Sequence, residues 1–296
     1  SSLTLSQFRY GGGEDNSTPV YGRVYISINP KSGVTVTESN KADIVTQLKD
    51  FNVASITPVI EDPETTFIQL NVVVKYDQKA TTKAPDTIKS LVQNAINTYN
   101  ENNLQQFDQM FRHSKFIETI NKVDTAILSN ITTVKLHKSF TATTTGTTTY
   151  TIGFNNAFYN PHSGHNSSGG GILVSTGFKI SGDTTNEYFL DEDGQGNVRL
   201  YYITAGVRTY TNNTQGTIDY TNGTIVLNSL HISSVSDVDG STSTAVRLTI
   251  VPNSVDIKPV RNQVIEIDET NTTTTVTADD FDTTSGIGYT TTTSYA

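Results

Sequence analysis

Apolar and polar residues alternate from Val24 through Ile26 to Ile28 and the run stops at Pro30, which predicts a first strand. A helix is expected next: Ser39 can cap it, and Ile44, Val45, Leu48 and Phe51 share one face at helical spacing. Two strands follow, over residues 55–60 and 66–76, with Pro63 in the turn between them. The second of these alternates and then becomes apolar on both faces through Val72, Val73 and Val74. Pro85 opens a second helix at the position where a helix tolerates proline, and Ile88, Leu91, Val92, Ala95, Ile96 and Tyr99 form its stripe. A shorter helix over 114–121 buries Phe116, Ile117 and Ile120, and a strand over 126–136 closes this half.

The order strand, helix, strand, strand, helix, strand is that of a split βαββαβ, ferredoxin-like module, expected over residues 21–138. Helical periodicity nearly vanishes after Asn121. Residues 139–268 read as a mostly β module, with strands predicted at 150–154, 172–180, 188–190, 198–203, 217–220, 224–227 and 245–251. Hairpins are signalled by the polar run 191–197 and by Asn222-Gly223 between Ile218 and Ile225. The fold class is therefore α+β.

Both ends lack such periodicity. Residues 1–20, with Gly11-Gly12-Gly13, read as an N-terminal arm or linker, and residues 269–296 as a Thr-rich C-terminal tail. Phe8, Arg9 and Tyr10 in the arm and Phe281, Ile287 and Tyr289 in the tail are candidate interface residues. They have either of two uses: packing on their own module, or crossing onto a neighbouring subunit.

Composition sharpens this picture. Only 34% of residues are hydrophobic, and Thr, Asn, Ser and Gly abound, as in short strands joined by polar turns. The 20 Lys and Arg against 29 Asp and Glu give a net charge of -9, with no basic cluster to neutralise a row of phosphates, so nucleic acid is not an expected partner. No apolar stretch is long enough for membrane insertion, and Ser1 begins neither a signal peptide nor an initiator-Met chain, so a piece of a longer protein is expected. Without Cys there is neither disulfide nor thiolate-ligated metal. The N-x-S/T triplets at Asn16, Asn130, Asn166, Asn212 and Asn222 are ordinary in a chain so rich in Asn and Thr.

Candidate chemistry is sparse. Asp191, Asp193, Gln195 and Gly196 echo the start of a calcium loop, but Tyr202 stands where the bidentate Glu belongs, so a hairpin turn is the better reading. His162 and His165 could share a metal, although a Ser/Gly-rich loop rarely preforms a site. Glu61 with Asp62, or Asp279, Asp280 and Asp282, could pose as paired catalytic carboxylates, yet adjacent acids in turns are usually solubilising and no Trp is present to stack a sugar. No nucleophile elbow, P-loop or zinc-protease helix occurs, so neither enzyme activity nor a cofactor is expected.

Several segments in order resemble the ring-forming baseplate wedge subunit of T4-type contractile-tail phages, a relative of the baseplate J-like proteins. They are Tyr10-Gly11-Gly12-Gly13-Glu14 leading to Tyr21-Gly22-Arg23-Val24-Tyr25-Ile26-Ser27-Ile28-Asn29-Pro30; Val59-Ile60-Glu61-Asp62-Pro63 with the strand after it; residues 191–200; the hairpin at 216–225; and Asp256-Ile257-Lys258-Pro259-Val260-Arg261-Asn262-Gln263-Val264-Ile265. Their order is similar to the C-terminal half of that subunit, while the Thr-rich tail matches nothing in it. The resemblance implies a structural virion protein of the tail baseplate, assembled in the host cytoplasm, that forms homodimers and joins other baseplate wedge proteins in a ring around the tail hub. Two rivals remain open: a carbohydrate- or receptor-binding tail adhesin, and a tail-associated hydrolase.

Overall fold

The computed structural model describes residues 5–12, 22–30, 36–51, 56–160, 171–260 and 262–279. Its strands form three sheets. In the smallest, β1 (Leu5–Gly12) pairs antiparallel with β2 (Arg23–Pro30), and β2 pairs parallel with β3 (Thr57–Glu61). The parallel pair requires a crossover, which α1 (Glu38–Lys49) supplies. Residues 5–12, expected to carry no element, are thus an edge strand. The cap of α1 is Thr37 rather than Ser39: Thr37 Oγ1 accepts the Asn40 N–H at 3.3 Å, satisfying one of the orphan donors of the first turn. The stripe expected on this helix is only half-buried at Ile44, Val45 and Leu48, and Phe51 is 86% exposed.

The six-stranded sheet carries the strongest pattern in the chain. Along β4 (Glu64–Asp77), Thr66, Ile68, Leu70, Val72, Val74 and Tyr76 are all buried while their neighbours are not, so this central strand has one core face. α2 (Pro85–Asn103) lays Ile88, Val92, Ile96 and Tyr99 on that core, starting at Pro85 whose missing N–H costs a first turn nothing. α3 (His113–Asn121) adds Phe116 and Ile120, and its N-terminus is capped from afar: the Asp256 carboxylate accepts the His113 N–H at 2.8 Å. Tyr99, Phe111 and Phe116 meet edge-on or tilted, with centroids 5.3–6.0 Å apart.

The expected ferredoxin-like module requires its four strands in one sheet, and here the topology differs. β2 and β3 lie in the small sheet, whereas β4 pairs with β5 (Ile127–Thr141) in the large one. Element order was right, but order alone does not say which strands pair. Instead β5 continues through residue 138 and pairs with β14 (Ala245–Ile250), which pairs with β7 (Leu173–Ser175). The other edge of β4 takes β15 (Gln263–Ile267) and then β16 (Thr273–Asp279), both parallel to it. The start of the Thr-rich tail is therefore docked on its own chain. One hydrophobic cluster runs from Ile68 to Ile267, across the division expected near residue 138.

The seven-stranded sheet is an antiparallel stack in the order β13-β8-β9-β10-β11-β12-β6. Its strands are β6 (Thr148–Gly153), β8 (Phe178–Ile180), β9 (Asp183–Glu192), β10 (Asn197–Thr204), β11 (Val207–Asp219), β12 (Thr224–Leu230) and β13 (Ile232–Val235). Both predicted hairpins form. Ile218 pairs with Ile225 across the turn containing Gly223, whose φ of +65° favours glycine. Among the described residues after 121 there is no helix, in agreement with the lost 3.6-residue period.

Candidate assembly surfaces

Three kinds of surface could meet a partner: the uncovered sheet faces, the sheet edges and the chain ends. On the six-stranded sheet the helices occupy one face, so Phe67, Gln69, Val73, Ile131, Lys135 and Arg247 lie on the other. Ile131 is 65% exposed there.

One end of this outer face is tied by a polar network that spans the sheet. Arg247 grips the Asp239 carboxylate through both terminal nitrogens, at 2.6 and 3.0 Å. Asn271 donates to Asp239 at 3.0 Å and to Asp268 at 2.7 Å, and His137 Nε2 lies 2.7 Å from Asp268. The imidazole stacks on Phe67, with centroids 5.0 Å apart. Burial would push the Asp268 carboxyl up, but hydrogen bonds from His137 and from the backbone and side chain of Asn271 outweigh it and hold the group well below the usual carboxylate range.

A second polar cluster sits on the seven-stranded sheet. Asp191, 1% exposed, accepts from Arg199 Nε at 2.9 Å, Arg208 at 2.7 Å and the Tyr210 hydroxyl at 2.8 Å. Arg199 also covers the Tyr210 ring, and Arg208 the Tyr201 ring, at 4.3 and 4.7 Å. Burial and the Asp191 hydrogen bond push the Tyr210 phenol up. On the opposite side of the strand Glu192, fully buried, accepts from the Ile172 N–H at 2.9 Å, the Tyr220 hydroxyl at 2.7 Å and the Gly194 N–H. These carboxylates are structural ties within the sheet.

The calcium-like turn is explained by the same contacts. Asp191 is committed to the arginines, and Asp193 folds back on its own turn, accepting from Gln195 N, Asn197 N and Asn197 Nδ2 at 2.7–3.0 Å. Burial raises Asp193, yet those hydrogen bonds prevail and lower it. Asp62 accepts from Lys41 at 2.8 Å, and that bond, with a second that Lys41 donates to Glu38, raises the lysine.

Of the candidate interface residues, Phe8, Arg9 and Tyr10 lie on the edge strand β1, in register with Ile28, Ser27 and Ile26. Phe281, Ile287 and Tyr289 lie outside the described residues, as do His162, His165, Asp280 and Asp282. Sequence reasoning missed the His137–Asp268 tie altogether. The Asp191–Arg199 pair was within reach, because folding the 191–197 hairpin puts the two residues in register.

Residues 5–61 match the family described as baseplate structural protein gp6, C-terminal domain I, and residues 64–139 match its C-terminal domain III. Over these two stretches the chain is similar to the gp6 baseplate structural family. Baseplate wedge protein gp6 of Enterobacteria phage T4 is 28% identical over 122 residues, which is 41% of this chain and 18% of that relative. The two gp6-type regions meet at Asp62 and Pro63, where the chain passes from the small sheet to β4. The gp6 domain III match contains β4, α2, α3 and β5, but its sheet is completed by β7, β14, β15 and β16, all beyond the match. The seven-stranded sheet lies wholly outside both gp6-type regions.

Proposed function

We propose that this chain is a non-enzymatic structural component of a phage tail baseplate wedge, which self-associates as a homodimer and contacts other wedge proteins around the tail hub. The observation that carries this reading is the succession of two gp6 family matches, whose limits coincide with the small sheet and with the helix-covered core of the large one. Physical features support it. The edges of β1, β7 and β13 end their sheets, and the outer face around Ile131 carries exposed apolar area, as an assembly subunit requires. Among the described residues the carboxylates of lowest exposure, Asp191 and Glu192, are tied to arginine, tyrosine and backbone rather than aimed at a cleft. Among the described residues no helix is long and apolar enough to cross a membrane. The place of action is the tail baseplate of the virion, built in the host cytoplasm, and Phe8, Arg9, Tyr10, Phe281, Ile287 and Tyr289 contribute to its contacts.

The test is light scattering of the purified chain over a range of concentrations, followed by co-purification with the other wedge proteins of the same phage. A mass near twice 32.2 kDa and a stable wedge complex are expected. A chain that stays monomeric and joins no wedge complex would overturn the reading.

A further inference from the structure

The last two strands of the six-stranded sheet are held very differently. In β15, Gln263, Val264, Ile265 and Ile267 are buried, and Asn100 of α2 clamps its end, accepting the Ile267 N–H at 2.8 Å and donating to Glu269 at 3.1 Å. In β16 the only buried side chain is Thr274; Val276 is half-buried, and Thr273, Thr275, Thr277 and Ala278 are exposed. Moreover, the Thr274 hydroxyl is buried without a hydrogen-bond partner among the described residues, where an apolar side chain would have avoided the desolvation. β16 is thus held by its backbone ladder to Asn71–Asp77 of β4, with little more on the core face beside α2 than Thr274 and the half-buried Val276.

Between the two strands, the five residues 268–272 stand opposite only Gln69 and Leu70. This excess is folded into a turn, closed by the Asp268 carboxylate, which accepts the Thr270 and Asn271 N–H groups at 3.0 Å. Opened out, five residues reach about 17 Å, enough to carry the strand off its own sheet onto one beside it.

We propose that β16 is an exchangeable strand: residues 273–279 of one copy occupy the β4 edge of a second copy, and reciprocally, with 268–272 as the hinge. The occupant is specified by the ladder itself. The edge of β4 that β16 leaves is complementary in register and side-chain pattern to residues 273–279, as in the Asn71–Thr273 side-chain hydrogen bond at 2.8 Å, and a second copy presents the same sequence. Exchange preserves every contact in the ladder while joining two chains, and an edge without its strand is a template for pairing. This goes beyond the baseplate role and does not depend on it, since any two copies at sufficient concentration suffice.

The absence of Cys from the chain makes the test direct. Val73 and Thr275 are paired neighbours on the exposed face. V73C and T275C full-length chains are made separately, mixed at high concentration, oxidised, and searched for the disulfide joining the two. Exchange predicts about tenfold more mixed dimer than a V73C plus T277C mixture, whose sulfurs are out of register. The V73C/T275C double variant, oxidised when dilute, should close within one chain. If it does so while the mixture gives no excess over the out-of-register control, exchange is refuted. Failure of the double variant to form any disulfide, within or between chains, refutes the β16 ladder itself. Should V73C impair folding, N71C with T273C repeats the comparison one step along the same face. A negative result here leaves wedge co-purification untouched, so the two readings fail separately.

Discussion

The imidazole of His137 lies 2.7 Å from the carboxylate of Asp268, a residue 131 positions further along the chain. This single contact ties the C-terminal part of β5 to the turn between β15 and β16, across β4. It is 7% exposed on the histidine side and 11% on the aspartate side, so solvent screens it little.

Because Asp268 titrates below its ordinary range in the folded chain, its contribution has a definite sign. The stabilisation is complete above the unfolded carboxyl value, about pH 4, and is lost as pH falls from there through the folded value. D268N should lower stability by about 1–3 kcal/mol at neutral pH. Urea unfolding of both proteins over a pH series should show the gap narrowing below about pH 4. A gap that widens on acidification would contradict the assignment.

Removing the carboxylate shared by the buried Arg199 and the partly exposed Arg208 is more severe. D191A leaves Arg199 and Arg208 without their carboxylate and should cost about 3–5 kcal/mol, measurable as a shift of the chemical denaturation midpoint. D191A retaining the wild-type midpoint would show that the cluster is solvated in solution.

Gly216 lies where β11 passes β12, and a Cβ there would come within 2.1 Å of the Val226 carbonyl oxygen and 3.1 Å of Leu227 Cα. Both are backbone atoms, so no rotamer relieves the overlap. G216A should destabilise by about 3 kcal/mol, whereas G206A at the open hairpin tip, with nothing within 4 Å, should show only the smaller strain of its φ of +80°. Thermal melts of the pair decide the order.

The turn at 191–197 should bind no calcium, because the Asp191 and Asp193 oxygens already serve as acceptors within the protein. Melting with and without millimolar calcium is expected to coincide. A rise of several degrees would refute this, since a ligand specific for the folded state stabilises it by mass action.

How much of this was legible beforehand follows from what each element needs. β4 and α2 bury one face against the core, so their periods of 2 and 3.6 stand out in the sequence and both were found. β16 needs no such pattern, because an edge strand with one buried threonine can be almost wholly polar, and it was read as tail. β1 was missed likewise: its Gly11 and Gly12 signal a linker, while its pairing with β2 is a tertiary choice. The small sheet shows the same limit for topology, since the parallel alignment of β2 with β3 separates them from β4 and β5. The outer-face network joins residues 137, 239, 247, 268 and 271, and no local spacing announces such a set.

The parallel return of β15 and β16 onto β4 also sets a timetable. Gln263 pairs with Glu64 and Asp279 with Asp77, so β4, inside the six-stranded sheet, emerges from the ribosome about 200 residues before the strands that cover its edge. At about 5–20 residues per second that delay lasts on the order of ten seconds or more, during which β4 presents bare backbone. Loop closure over such a distance also slows folding. Synthesis arrested before Gln263 leaves the β4 edge bare, so such a chain carries one adhesive edge more than a subunit translated through β16.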